Sequence, residues 1–326
     1  MVHVLTRRRA LLTSVACLAA PAAFAQANWP SRPIKMIVPG PPGGAMDNLL
    51  RIIQLPLQEA LKQPMVMDFK PGANSIIGMD AVAKAQPDGY TFLITPSSAV
   101  AINPIILDKM PFDTQKDLAP VAQFGTGGIL LVANPASNIK TVQDMVKFAQ
   151  ANPGKLSYGT WGNGSTGHLV MEGIKKQFGV SITHIPYKTT AQEITDLIAG
   201  TLPVGFTDIA SPLPHIKAGK LTAVGVSGSI RAPALPSLPT LSEQGFKFDA
   251  DGWFGIFAPA STPPEIVKRM NEEIGKILAR DDIKQKFAAQ NMTLPAYKSS
   301  AQFAATVKND VSAWQQMAKG ANLKMD

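Results

Sequence analysis

The chain has 326 residues, 17% of them charged, with 31 Lys+Arg against 23 Asp+Glu and a net charge of +8. That length supports a large core and suits two domains better than one. A single cysteine excludes a disulfide framework, and positive charge spread without basic runs or aromatic–basic interleaving argues against nucleic acid while mildly favouring anionic ligands.

In chain order, Arg7, Arg8 and Arg9 precede an apolar run over residues 10–20, and Ala23-Phe24-Ala25 offers a small-x-small cleavage site before Gln26. This is the layout of a secretory signal peptide spanning residues 1–25, so the expected location is the periplasm. Thr6-Arg7-Arg8 also fits twin-arginine export, and the two routes stay open. Ser14 stands where lipoprotein processing at Cys17 would want Leu. Removal of residues 1–25 leaves 28 basic against 23 acidic residues, a net charge of +5, and no cysteine. No later run reaches the roughly 18 apolar residues of a membrane span.

From Ile34 one unit repeats. Residues 34–38 read as a strand, Pro39 to Gly44 as a loop, and 47–62 as a helix with Leu49, Ile52, Ile53, Leu57 and Leu61 at helical spacing. Pro56 removes a backbone donor and predicts a kink. Residues 65–69 predict the next strand, Pro71 to Ser75 a loop, and 76–85 a helix. Pro87-Asp88-Gly89 is a turn that feeds a strand over 90–95. Strands follow at 129–133, 156–160, 181–185, 203–207, 222–227 and 253–258, with helices at 167–178 and 191–199. Three amphipathic helices close the chain, the last over 299–318 with Phe303, Val307, Val311 and Trp314 on one face. This alternation predicts parallel sheets covered on both faces, with a ligand outside the carboxyl ends of the strands.

Nine segments in order resemble one family: Trp29-Pro30-Ser31-Arg32-Pro33-Ile34, Val38-Pro39-Gly40-Pro41-Pro42-Gly43-Gly44, Pro71-Gly72-Ala73, Pro87-Asp88-Gly89-Tyr90, Asn152-Pro153-Gly154-Lys155-Leu156, Gly162-Asn163-Gly164-Ser165-Thr166, Pro186-Tyr187-Lys188, Ile216-Lys217-Ala218-Gly219-Lys220-Leu221 and Trp253-Phe254-Gly255. The set is similar to the Bug family, the periplasmic substrate-binding proteins of tripartite tricarboxylate transporters, from about Trp29 to the last helix. The resemblance implies an α/β, type II periplasmic-binding-protein (Venus-flytrap) fold with two lobes and a ligand cleft between them. Residues 26–125 and 252–326 would form the first lobe and 126–251 the second, crossing near Gly125 and Gly252. It also implies a monomeric binding protein, not an enzyme, that hands a small organic carboxylate to a two-component membrane permease. A ligand sensor docking on a receptor is the alternative of a different class.

A carboxylate needs convergent donors, and helix N-termini supply them. Pro41, Gly43 and Gly44 precede one predicted helix; Asn163, Gly164, Ser165 and Thr166 precede another, in the other lobe. The bland alternative is that the glycines make tight turns and Ser165 only caps its helix. Ser97 and Ser98 add hydroxyls after the strand ending at Thr95, and Thr189 does so after Ile185. The resemblance would put Gly at Thr189, Gly-Gly at Asn74-Ser75 and a small residue at Trp161. Trp161 then offers either a flat apolar wall or packing against a neighbouring loop. Asp208 binds a ligand hydroxyl or ammonium, or caps the following helix.

Gly162-Asn163-Gly164-Ser165-Thr166-Gly167 also matches the dinucleotide fingerprint, which makes a nicotinamide-cofactor enzyme the runner-up. No acid ends the next strand to hold a ribose, so no cofactor is expected. G-x-S-x-G fails at Asn163. His168 and Glu172 are one helical pair, while His184 and His215 stand alone, so no metal site is expected.

Overall fold

The computed structural model describes residues 29–107, 109–247 and 252–318. The export segment expected at 1–25 lies outside them. The chain builds β1 (Ile34–Val38), α1 (Ala45–Leu61), β2 (Met65–Phe69), α2 (Ile76–Ala83), β3 (Thr91–Pro96), α3 (Ser97–Ala101), α4 (Asn103–Ile106) and β4 (Leu118–Thr126). It continues with β5 (Leu130–Ala133), α5 (Val142–Ala151), β6 (Ser157–Thr160), α6 (Thr166–Phe178), β7 (Thr183–Pro186), α7 (Thr190–Ala199), β8 (Val204–Thr207), α8 (Leu213–Lys217) and β9 (Thr222–Val226). It closes with β10 (Trp253–Pro259), α9 (Pro264–Leu278), α10 (Asp281–Ala289) and α11 (Ser300–Ala318).

Two five-stranded sheets result, in the orders β2-β1-β3-β10-β4 and β7-β6-β8-β5-β9. The first therefore takes strands from both ends of the chain, and the second only from its middle. The expected parallel sheets are instead mixed. β10 runs antiparallel between β3 and β4, and β5 antiparallel between β8 and β9. Each reversed strand is one by which the chain enters a sheet from the other one, so it arrives without a crossover helix to turn it parallel.

Strand alternation sorts the core. In β1 and β3, Ile37 and Leu93 point into a cluster shared with Leu131, Phe206 and Trp253. Their neighbours Met36, Val38, Phe92 and Ile94 point to the opposite face, onto Leu50, Phe124, Met270 and Phe287. Each such side chain contributes about 1.5–3 kcal/mol by leaving water. α11 buries Phe303, Val307, Val311 and Trp314, the face expected from the sequence, and packs against β4, α3 and α6, touching elements of both sheets. α1 runs through Pro56 as one helix. Pro56 and Ile52 are half-buried, so the Ile52 carbonyl that Pro56 leaves without an amide can reach water.

Candidate functional site

Three segments that follow strand carboxyl ends meet in one cavity of about 200 Å³. After β2 come Asn74 and Ser75; after β3, Pro96, Ser98 and Ala99, with Asn103 just beyond; after β6, Trp161, Asn163, Gly164, Ser165 and Thr166. These segments lead into α2, α3 and α6, so three helix starts border one space, although at α6 the Gly164, Ser165 and His168 amides are already paired within the loop. Among the described residues no charged side chain lines it. Such a space can hold an anion through amides and hydroxyls, without an arginine.

Local backbone geometry fixes each wall. Gly72, Ala73, Asn74 and Ser75 all have positive φ (126°, 46°, 50° and 75°), an uncommon run for three non-glycine residues. Asn103 holds it, donating from Nδ2 to the Asn74 carbonyl at 2.7 Å while 4% exposed. Gly162 (φ 127°) and Gly164 (φ 70°) shape the loop before α6. Ser165 caps α6, its Oγ accepting from the His168 amide at 3.3 Å. Trp161 is half-buried, packs on the shared core cluster and lines the cavity.

Beneath the third wall lies a polar layer. The Gly164 amide donates to His168 Nδ1 at 3.0 Å. The His168 ring stacks on His184, 4.0 Å between centroids and 9° between planes. His184 Nε2 meets Thr160 Oγ1 at 2.7 Å, and that hydroxyl also contacts the Gly162 carbonyl at 3.0 Å and accepts from the Gly162 amide at 3.2 Å. Glu172 accepts from Tyr158 at 2.9 Å and from Lys175 at 2.6 Å. Burial lowers His168 below the usual histidine range, Lys175 adding to this and Glu172 opposing it. Burial, then His168 and Lys175, bring His184 down to about 4.

The other expected site residues lie elsewhere. The Gly43 amide donates to Asp47 Oδ2 at 2.7 Å and the Gly44 amide to the Pro41 carbonyl at 3.1 Å, so the Pro41–Gly43–Gly44 loop spends those donors on itself and lines no part of the cavity. Arg51 pairs with Asp47 at 2.8 Å. Ser97 is turned away, its Oγ accepting from the Trp253 amide at 3.2 Å. Thr189 caps α7, accepting from the Gln192 amide at 3.3 Å. Asp208 caps a turn, accepting from the Ser211 amide at 2.8 Å and its hydroxyl at 2.7 Å. Sequence reasoning missed Asn103, whose one signal was an amide side chain inside the apolar stretch Ile102 to Ile106.

A larger cavity of about 490 Å³ lies among β4, α9, α10 and residues 292–298. Its polar groups are committed: Asn271 donates to the Val121 and Lys298 carbonyls and accepts from the Tyr297 hydroxyl, Gln123 donates to Thr126 and accepts from Lys298, and Lys284 pairs with Asp281. Among the described residues no group of three or more His, Cys, Asp or Glu could hold a metal, and no helix is long and apolar enough to cross a membrane.

Comparison with known proteins adds to this geometry. The model of the tripartite tricarboxylate transporter family receptor matches residues 49–323. Protein BugT of Bordetella pertussis is 34% identical over 300 residues, covering 91% of this chain and 92% of that protein. A Pseudomonas sp. protein from the tcbD-tcbE intergenic region is 36% identical over 257 residues, 78% of this chain and 76% of the relative. The solved structure of R. palustris Rpa4515 with adipate has a TM-score of 0.77 and 32% identity, covering 90% of this chain and 98% of that one. A TctC solute binding protein from Polaromonas, without ligand, has a TM-score of 0.78 and 27% identity over 89% of this chain and 99% of that one.

Proposed function

The chain belongs to the tripartite tricarboxylate transporter receptor family, and we propose that it captures a small organic mono- or dicarboxylate in the cavity at the starts of α2, α3 and α6. It is a periplasmic solute-binding protein of that family and not an enzyme. One observation carries the ligand class: three helix starts converge on a polar cavity lined by no charged side chain. That arrangement attracts negative charge and offers nothing to neutralise a cation. The related protein's adipate supports the same class.

In this reading residues 26–125 with 252–326 and residues 126–251 are the two lobes. Asn74, Ser75 and Ser98 hold the ligand from one lobe, and Asn163, Gly164, Ser165 and Thr166 from the other. Closure around the ligand excludes water and presents a surface to a two-component membrane permease. The protein acts as a single copy, exported with cleavage after Ala25, which mass spectrometry of the periplasmic fraction tests directly.

The deciding experiment is a thermal-shift and calorimetry screen of adipate, succinate, citrate, benzoate and terephthalate against glutamate and a neutral diamide. A true ligand at 100 times its dissociation constant adds about 2.7 kcal/mol of stability. Binding of a carboxylate but not of the diamide is expected. Equal binding of both would show that charge is not what the cavity reads.

A further inference from the structure

We propose that His168 is the positioning residue of the ligand loop, holding Gly164 in its binding shape through an unprotonated Nδ1, so that protonation of His168 opens the loop and releases the anion. This rests on the carboxylate-binding role of the cavity and adds a proton to it.

A neutral imidazole has one donor and one acceptor nitrogen. The Gly164 amide donates to Nδ1 at 3.0 Å, so Nδ1 is the acceptor and the ring proton sits on Nε2. Adding a proton at Nδ1 sets N–H against N–H. The Gly164 peptide must then turn away, and this loop can let it, because Gly162 and Gly164 both hold positive φ. Asn163, Ser165 and Thr166, which flank Gly164, are cavity walls and move with it.

The surroundings keep that proton off. His184 from β7 lies face to face with His168, so a charge on one ring disfavours a charge on the other. Tyr158 from β6 gives its hydroxyl proton to Glu172, not to His168. Glu172 stands 3.8 Å from His168 Nε2, but its charge is already met by Lys175 at 2.6 Å. β8, also packed on α6, carries no titratable side chain. α11 brings Lys308, which is exposed, and Asp310, which accepts from Trp253 Nε1. Burial, opposed by Glu172 and helped by Lys175, lowers His168 from the ordinary histidine value. His184 is anchored separately: its Nε2 and the Gly162 backbone share the Thr160 hydroxyl.

The test has two arms. In ligand-free wild type, NMR follows the His168 ring and the Gly164 amide from pH 8 to 4.5. The Gly164 amide should shift in the same step as the His168 ring, and an amide that ignores that step overturns the proposal. In the second arm, calorimetry with adipate and terephthalate compares wild type with His168→Asn, whose side-chain oxygen stands near the place of Nδ1 and does not titrate. Wild-type affinity should fall at least tenfold from pH 8 to 4.5, while His168→Asn changes less than twofold. Parallel pH profiles, or wild-type binding that tightens in acid, refute it. If neither acid binds at any pH, the carboxylate reading fails, and the ligand-free arm alone decides the role of His168.

Discussion

Two residues inside the second sheet's unit carry chemistry that their helices do not need. Glu193, on α7, is fully buried, and neither carboxylate oxygen has a hydrogen-bond partner among the described residues. It fits because Gly159 and Gly205 face it: a Cβ on either would stand 2.9 or 2.5 Å from Glu193 Oε1. Burial, with Asp208 nearby, pushes its pKa up to about 8. The folded-state value lies above the unfolded one, so the stabilising contribution is complete below about pH 4.5 and is lost as pH rises through about 8. Urea melts from pH 5 to 8 should therefore lose up to about 1.4 kcal/mol per pH unit, and Glu193→Gln should flatten that slope. An unchanged slope in the variant would mean that Glu193 finds a partner in solution. Trp161 offers the second test. If its face is the cavity's flat wall, Trp161→Ala should weaken terephthalate by about 0.5–1.5 kcal/mol more than adipate. Equal losses, or none, leave Trp161 as packing. Glu193's role was not legible from sequence, whereas Trp161 stood out there as either a wall or packing. Glu193 looks like any acid in a helix's first turn, and the glycines that make its pocket come from β6 and β8, remote along the chain.

At the scale of elements, the start of α6 separates two roles that the sequence ran together. Ser165 caps the helix through the His168 amide, whereas Thr166 follows the cap and lines the cavity. Ser165→Ala should then cost about 1 kcal/mol of stability as well as affinity, because a lost cap leaves amides unmet. Thr166→Ala should leave the melting temperature nearly unchanged and weaken only the carboxylate. Denaturant melts and calorimetry on both variants check this, and a cap-like stability loss in Thr166→Ala would contradict it. Many helices and strands were readable, because their apolar spacing is local: Phe303, Val307, Val311 and Trp314 predicted the buried face of α11. By contrast, β4, α3, α4, α5 and α8 went unread. Strand direction was not readable, since β5 and β10 look like any apolar strand and only the partner sheet reverses them. The loop after β1 misled for a related reason. Its glycines look free in sequence, but Asp47, four residues on, takes the Gly43 amide.

For the whole molecule, the question is whether two sheets joined by a few strands can close on a ligand. The chain leaves the first sheet after β4 and enters the second at β5, with only residues 127–129 between them. There the backbones lie against each other. The Gly127 amide donates to the Gly252 carbonyl at 2.9 Å, and a Cβ on Gly252 would stand 2.5 Å from the Gly127 carbonyl oxygen. A Cβ on Gly128 would stand 2.0 Å from the Ser227 carbonyl oxygen. Because the crossing segments touch without side chains between them, the closure proposed above would turn about this seam. α11 and the shared core cluster lie against both sheets, so the rotation is limited to what that packing tolerates. Ligand-bound wild type should accordingly scatter as a more compact particle than the free protein. Gly252→Ala must push the seam apart, since its Cβ would stand 2.5 Å from the Gly127 carbonyl oxygen, costing about 1–3 kcal/mol of stability by overpacking. It should also bind carboxylate more weakly and contract less on binding, although no cavity residue has changed. Small-angle scattering with and without adipate, on both proteins, reads this out. A wild type that binds adipate without contracting would show that the cavity is already formed and that the seam is a brace, with no closure to drive.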